Sequence, residues 1–313
     1  MHPTIVITGA SGRLGQACAT AFTQAGWRVL RHSLRPEAAT LNALPDRADV
    51  LLHAANPPYT HWPTQAAPAL QTAIDLSLRL GATLMLPGNV YNYQPLPTHL
   101  SESTPQASAT RKGGIRIDME RMLEHAQHLQ GLRSVVLRAG DFFGGGTGSW
   151  FDLALASRLR RGQFVYPGPL DVPHAWAYLP DLGHTFVALA EQRTRLAPFE
   201  QLHFSGHRLI GYDWLQAFEP IAHEQGWLRE GTTFKFKSLP WALMTALSPL
   251  VPMWREVLEM RYLWRQPHAL VSDKLPALIG APKHTPLPQA AQAALQALGI
   301  LPPATAAASL ISI

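Results

Sequence analysis

A short β-branched run that ends in three evenly spaced glycines constrains this chain more than any other feature. Thr4–Thr8, with Ile5, Val6 and Ile7 in a row, has the make-up of a strand buried on both faces. It runs into Gly9, Ala10, Ser11, Gly12, Arg13, Leu14 and Gly15. Residues 14–25 have a helical pattern, and Gly26 stands where a C-cap glycine is expected. A second strand is predicted at Arg28–His32 and a third at residues 50–54. Strand, glycine turn, helix, strand is the arrangement that binds a dinucleotide. Small residues let the backbone approach a pyrophosphate, and the N–H groups opening the helix point at it. Gly9, Ser11, Gly12, Arg13, Leu14 and Gly15 are therefore the expected phosphate-binding residues.

The end of the second strand bears on which nucleotide. An NAD site usually carries Asp or Glu there to hold the ribose 2′-hydroxyl. This chain reads Arg31, His32, Ser33 and Arg35, with no carboxylate, and Arg13 adds a further cation. Guanidinium groups bind a 2′-phosphate bidentately, so NADP is favoured over NAD. The alternative is that some of these arginines are solvated surface. His53, Ala54 and Ala55, at the end of the third strand, are expected to line the path between adenosine and nicotinamide.

Composition removes other classes. At 313 residues the chain suggests about two folding units, and 47% hydrophobic with 15% charged residues excludes disorder. The single cysteine, Cys18, cannot form an internal disulfide. The start lacks the basic and apolar regions of a signal peptide. The longest uncharged apolar stretch, residues 238–254, is short for a span and is broken by Pro240, Pro249 and Pro252. A cytoplasmic protein without a membrane partner is expected. The net charge of +5 comes from scattered arginines, which argues against nucleic acid.

Metal and hydrolase chemistries find little support. His125 with His128, and His203 with His207, have helical spacings but no third ligand nearby, so no metal is expected. The glycine-rich residues 140–149 lack the Gly-Lys-Ser/Thr ending of a P-loop, and no G-x-S-x-G elbow occurs. That loop reads instead as a mobile border of the substrate cleft, with Phe142 and Phe143 near the nicotinamide. Asp181 reads as an N-cap and first-turn charge for a helix over residues 182–191.

The ordered segments TGASGRLG, DVLLHAAN, PGNVYNY, ESTPQASATRKGGIRIDMERML, VVLRAGDFFGGG, HAWAYLPDLGHTFVALA and SDKLPALIGAPKHTPLPQAAQAALQALGIL resemble the extended or atypical-extended short-chain dehydrogenase/reductase superfamily. The likeness is to its NAD-dependent epimerase/dehydratases. It implies an α/β fold, a doubly wound parallel sheet with a smaller, mainly helical C-terminal substrate lobe. The Rossmann domain would comprise residues 1–150 plus about 175–207. The substrate lobe would comprise about 151–174 plus 208–301, with a tail at 302–313.

The catalytic centre departs from the family pattern of Ser or Thr, then Tyr, then Lys four residues later. Lys112 takes the lysine place, Ser108 stands four residues earlier, and Pro87 falls at the Ser/Thr place. Lys112 is the expected nicotinamide-ribose ligand and cation, and Ser108 replaces the acid. Tyr91 is the candidate substitute donor, with Tyr93, Asn89 and Thr110 as lesser candidates. Two readings follow. One is an NADP-dependent oxidoreductase or epimerase-like enzyme acting on a small carbonyl or hydroxyl substrate. The other is a non-catalytic NAD(P)-binding sensor or scaffold. The resemblance also implies helix pairing into a homodimer.

Overall fold

The computed structural model describes residues 2–33 and 44–303. Strands and helices alternate as β1 (Thr4–Thr8), α1 (Arg13–Gln24), β2 (Arg28–His32), β3 (Val50–His53), α2 (Trp62–Leu80), β4 (Thr83–Gly88), β5 (His99–Leu100), α3 (Arg111–Gln130) and β6 (Ser134–Arg138). Then follow β7 (Asp141–Phe143), β8 (Gln163–Tyr166), β9 (His174–Tyr178), α4 (Leu179–Glu191), β10 (Phe199–His203), β11 (His207–Leu209) and α5 (Gly211–Glu224). The chain continues with β12 (Lys235–Ser238), α6 (Trp241–Leu247), α7 (Pro252–Glu259), β13 (Ala269–Leu270), α8 (Lys274–Ile279) and α9 (Leu287–Ala297).

Six strands form one parallel sheet in the order β10-β6-β4-β3-β1-β2. Side chains alternate between its two faces. Ile5, Ile7, Val50, Leu52 and Met85 pack with α1 and α4, whereas Val6, Leu51, Leu84 and Leu86 pack with α2 and α3. Burial on both faces explains why these strands read as continuous apolar runs. After β2 the chain crosses to the other side of β1 to form β3. The crevice at the carboxyl ends of β1 and β3 is thus a topological switch point, where such sheets bind ligands.

A third core is aromatic, built from Phe143, Phe151, Phe164, Trp176, Trp214, Phe218 and Trp264, with α5 and α9 packed on it. It includes strands as well as helices: β11-β9-β7 and β12-β8 form small sheets of their own. Phe143 is fully buried here, with Trp214 at 5.1 Å and Tyr178 at 5.2 Å between ring centroids. It is therefore a packing residue of β7 and does not face a cleft. The α4 helix starts at Leu179 because Pro180 suits a first-turn position. Asp181 is consequently inside the first turn. It does not cap the helix: its carboxylate accepts from Thr285 N (2.6 Å) and Thr285 Oγ1 (2.8 Å), anchoring the C-terminal segment.

Candidate active site at the carboxyl end of the sheet

The turn between β1 and α1 is shaped by backbone contacts. Gly9 has φ +71°, and a Cβ there would lie 2.4 Å from Ala55 N. A Cβ on Gly15 would lie 2.3 Å from Gly9 O and 2.8 Å from Ala10 Cα. Both obstacles are backbone, so no side chain can rotate away. Gly15→Ala is expected to lower stability by about 1–3 kcal/mol, the usual cost of overpacking; an unchanged urea midpoint would refute this.

The cradle suits an anion. Gly12 opens α1 with no side-chain cap and no acidic residue in the first turn, which leaves helix N–H groups for a ligand. Arg13 is half-buried, and its buried Nη1 has no hydrogen-bond partner. Burial lowers its pKa, with Asp152, Tyr59 and Asp141 acting in the other direction. The glycine loop lies against Arg13, a Cβ on Gly145 falling 3.2 Å from Arg13 Cβ. Ser11 is exposed, while Leu14 is buried in the first core.

Arg31 is exposed near the carboxyl end of β2, with half-buried Ser33 just beyond; Arg35 lies outside the described residues. Ala54 and Ala55 are half-buried against the Gly9 turn. His53 is 2% exposed, and its Nδ1 lies 2.9 Å from Thr8 Oγ1. Its ring ties the ends of β1 and β3 together from within and presents no open surface to a ligand path. Burial, helped by Arg116, lowers its pKa to about 4.

Beside this cradle stands a pair of tyrosines. Tyr91 Oη is 2.8 Å from Tyr59 Oη, and the Tyr59 ring lies 5.1 Å from the Trp62 ring. Burial raises both phenol pKa values, that of Tyr91 well above 10. Both remain protonated at neutral pH. Whichever hydroxyl accepts the shared hydrogen bond keeps its own proton to give.

Lys112 is fully buried and committed elsewhere. Its Nζ donates to Glu259 Oε2 (2.6 Å), to the Glu256 carboxylate and to Glu256 O (3.1 Å). Arg111 Nη2 completes the cluster at 2.5 Å from Glu256 Oε1. Burial pushes the Glu256 carboxyl up, but the bonds from Arg111 and Lys112 outweigh it and hold it low. The α7 helix therefore clamps the start of α3, with Lys112 Nζ 5.4 Å from the Tyr59 ring centroid. Ser108 Oγ is engaged too, 2.9 Å from Thr110 Oγ1, which caps α3 by accepting from Gly113 N at 3.0 Å. Asn89 Oδ1 accepts from Tyr91 N (3.0 Å), a turn-forming role.

Arg116, Glu120, Tyr59, Asp141 and His174 were not evident as site residues from sequence reasoning. Arg116 is 8% exposed, donates to Pro87 O at the end of β4, and has a buried Nε without a partner. Asp141 Oδ2 lies 2.8 Å from His174 Nε2, while His174 Nδ1 is 3.2 Å from Leu263 O. A signal for Arg116 did exist: Lys112, Arg116 and Glu120 recur at helical spacing on the buried side of α3.

No protein-family model and no curated protein sequence matches the chain. Solved structures do. A UDP-galactose 4-epimerase is 17% identical with a TM-score of 0.64, covering 95% of this chain and 99% of that one. A UDP-glucuronic acid 4-epimerase mutant from Bacillus cereus, in complex with a fluorinated UDP-sugar and NAD, is 16% identical with a TM-score of 0.68 over 95% and 99%. The UDP-glucose 4-epimerase from Brucella ovis, in complex with NAD, is 13% identical with a TM-score of 0.66 over 95% and 98%. At these identities the likeness concerns architecture, and it extends over nearly the full length of both partners. The chain therefore has the Rossmann-like α/β fold of these epimerase structures.

Proposed function

We propose that this chain is a pyridine-nucleotide-dependent oxidoreductase of the epimerase type, acting on a hydroxyl or carbonyl group of a small substrate in the crevice above β1, β3 and β4. One observation carries the reading: the glycine-turn cradle and the hydrogen-bonded Tyr59–Tyr91 pair both follow the carboxyl ends of neighbouring strands, β1, β3 and β4. When bound, the cofactor supplies a hydride donor or acceptor. The turn from Gly9 to Gly15 and the unpaired Arg13 Nη1 would hold its pyrophosphate. Arg31 and Ser33, with no carboxylate along β2, favour the 2′-phosphate of NADP. Tyr91, hydrogen-bonded to Tyr59, gives a proton to the substrate oxygen, and the Arg116 guanidinium stabilises negative charge developing there. Asp141, oriented by His174, accepts a hydrogen bond from a substrate hydroxyl.

Parallel calorimetric titration with NADPH and NADH tests the cofactor. NADPH is expected to bind at least about tenfold more tightly, or about 1.4 kcal/mol; binding of neither would remove the proposal. UDP-glucose and UDP-galactose, named for the fold's neighbours, are the first substrates to screen. Once turnover is found, Tyr91→Phe is expected to lower it by about 10²–10⁴-fold with cofactor affinity retained. A second reading, a cofactor-binding sensor, draws on the engagement of Lys112 and Ser108 in structural bonds. Tight cofactor binding without turnover of any screened substrate would favour it.

A further inference from the structure

The outer side of α6, of α7 and of the connection between them carries exposed apolar side chains. Leu243 is 53%, Leu250 79% and Met253 43% accessible, with Leu247 beside them. The inner face is occupied, since Trp241 and Met244 are buried in the aromatic core and Glu256 is turned onto Arg111 and Lys112. Next to α6 in sequence, the exposed strand β12 carries Phe236 between Lys235 and Lys237. Across residues 231–255 the charged side chains are Lys235, Lys237 and Arg255, all exposed, and there is no acidic residue.

We propose that this surface docks the protein on an anionic lipid bilayer. Leu243, Leu247, Leu250 and Met253 would enter the boundary between headgroups and acyl chains, while Lys235, Lys237 and Arg255 meet the lipid phosphates. Charge decides against a second copy as the occupant. A two-fold interface sets the same patch against itself, so cations would meet cations with no carboxylate between them. With seven and eight residues, α6 and α7 are too short to cross a bilayer, and no helix among the described residues is long and apolar enough to do so. They would lie along the surface. This departs from the expectation, drawn from the sequence, of no membrane partner.

The test is co-sedimentation of the full chain with vesicles of phosphatidylcholine alone or mixed with phosphatidylglycerol. It needs neither cofactor nor substrate, so it stands apart from the proposed activity. Binding to the anionic vesicles is expected to be at least about tenfold stronger, given three cations near the surface, and to weaken with salt. The double variant Leu243→Glu, Leu250→Glu is expected to lose it while keeping the wild-type melting temperature, since both positions are exposed. Lys235→Gln with Lys237→Gln is expected to weaken anionic binding selectively. Absence of vesicle binding, equal binding to both compositions, or binding unchanged in the variants would overturn the proposal. So would a dimer in analytical ultracentrifugation that Leu250→Glu converts to monomer without any vesicle interaction.

Discussion

Glu120→Ala is expected to destabilise the protein by about 3–5 kcal/mol, because it strands a buried cation. Glu120 is 3% and Arg138 1% exposed, and Arg138 Nη2 donates to both carboxylate oxygens at 3.0 and 2.8 Å. Asn92 Nδ2 (2.9 Å), Gln106 Nε2 (2.7 Å) and Gln201 Nε2 (3.2 Å) donate to the same carboxylate. Burial pushes the Glu120 carboxyl up, but Arg138, then Gln106 and Arg116, outweigh it and keep it below the usual range. Arg138 also reaches Asn89 O at 2.5 Å, so the pair supports the loop that carries Tyr91. The double variant Glu120→Leu, Arg138→Met is expected to recover part of the loss, since it leaves no unpaired charge. Urea denaturation followed by circular dichroism measures both. A Glu120→Ala loss below about 1 kcal/mol would show that the pair is solvated in the folded protein.

Acid is expected to unfold the protein between about pH 6.5 and 4, and buried histidines set the direction. Burial, then Arg116, lowers His53 to about 4, and burial, then His174, lowers His268 to about 3, against an ordinary value of 6.5. Between the folded and unfolded values only the unfolded chain takes up the proton. Stability is therefore complete above about pH 6.5 and is lost as the pH falls toward 4. At 1.36 kcal/mol per pH unit, His53 alone accounts for about 3 kcal/mol by pH 4. Melting temperatures recorded from pH 7 to 4.5 should fall steadily, and His53→Gln should flatten the curve. A variant curve parallel to wild type would remove His53 as a contributor.

The sheet was largely legible because its strands are local, apolar and punctuated by glycine. Val50–His53 and the Gly9 turn follow from residue type alone. The site was harder to read, since it depends on side chains far apart in sequence. Lys112 carries the expected motif spacing, yet its partners, Glu256 and Glu259, lie more than 140 residues away. Tyr59 sits in an unremarkable Pro-rich connection, and only the fold brings its hydroxyl to Tyr91. Phe143 looked like a loop residue beside glycines, but the aromatic core claims it.

The strand β2 also has a bearing on solubility. It closes one end of the parallel sheet and, among the described residues, pairs only with β1. The opposite end, β10, is covered by α8, where Lys274 Nζ meets Glu200 Oε1 at 2.7 Å. On β2, Arg28 and Arg31 are exposed. Another molecule's β2 pairing alongside this strand would bring the guanidinium groups of the two together. Cationic edge residues of this kind oppose strand-to-strand aggregation. Arg31, proposed above to meet a nucleotide phosphate, thus also stands on the rim strand of the sheet.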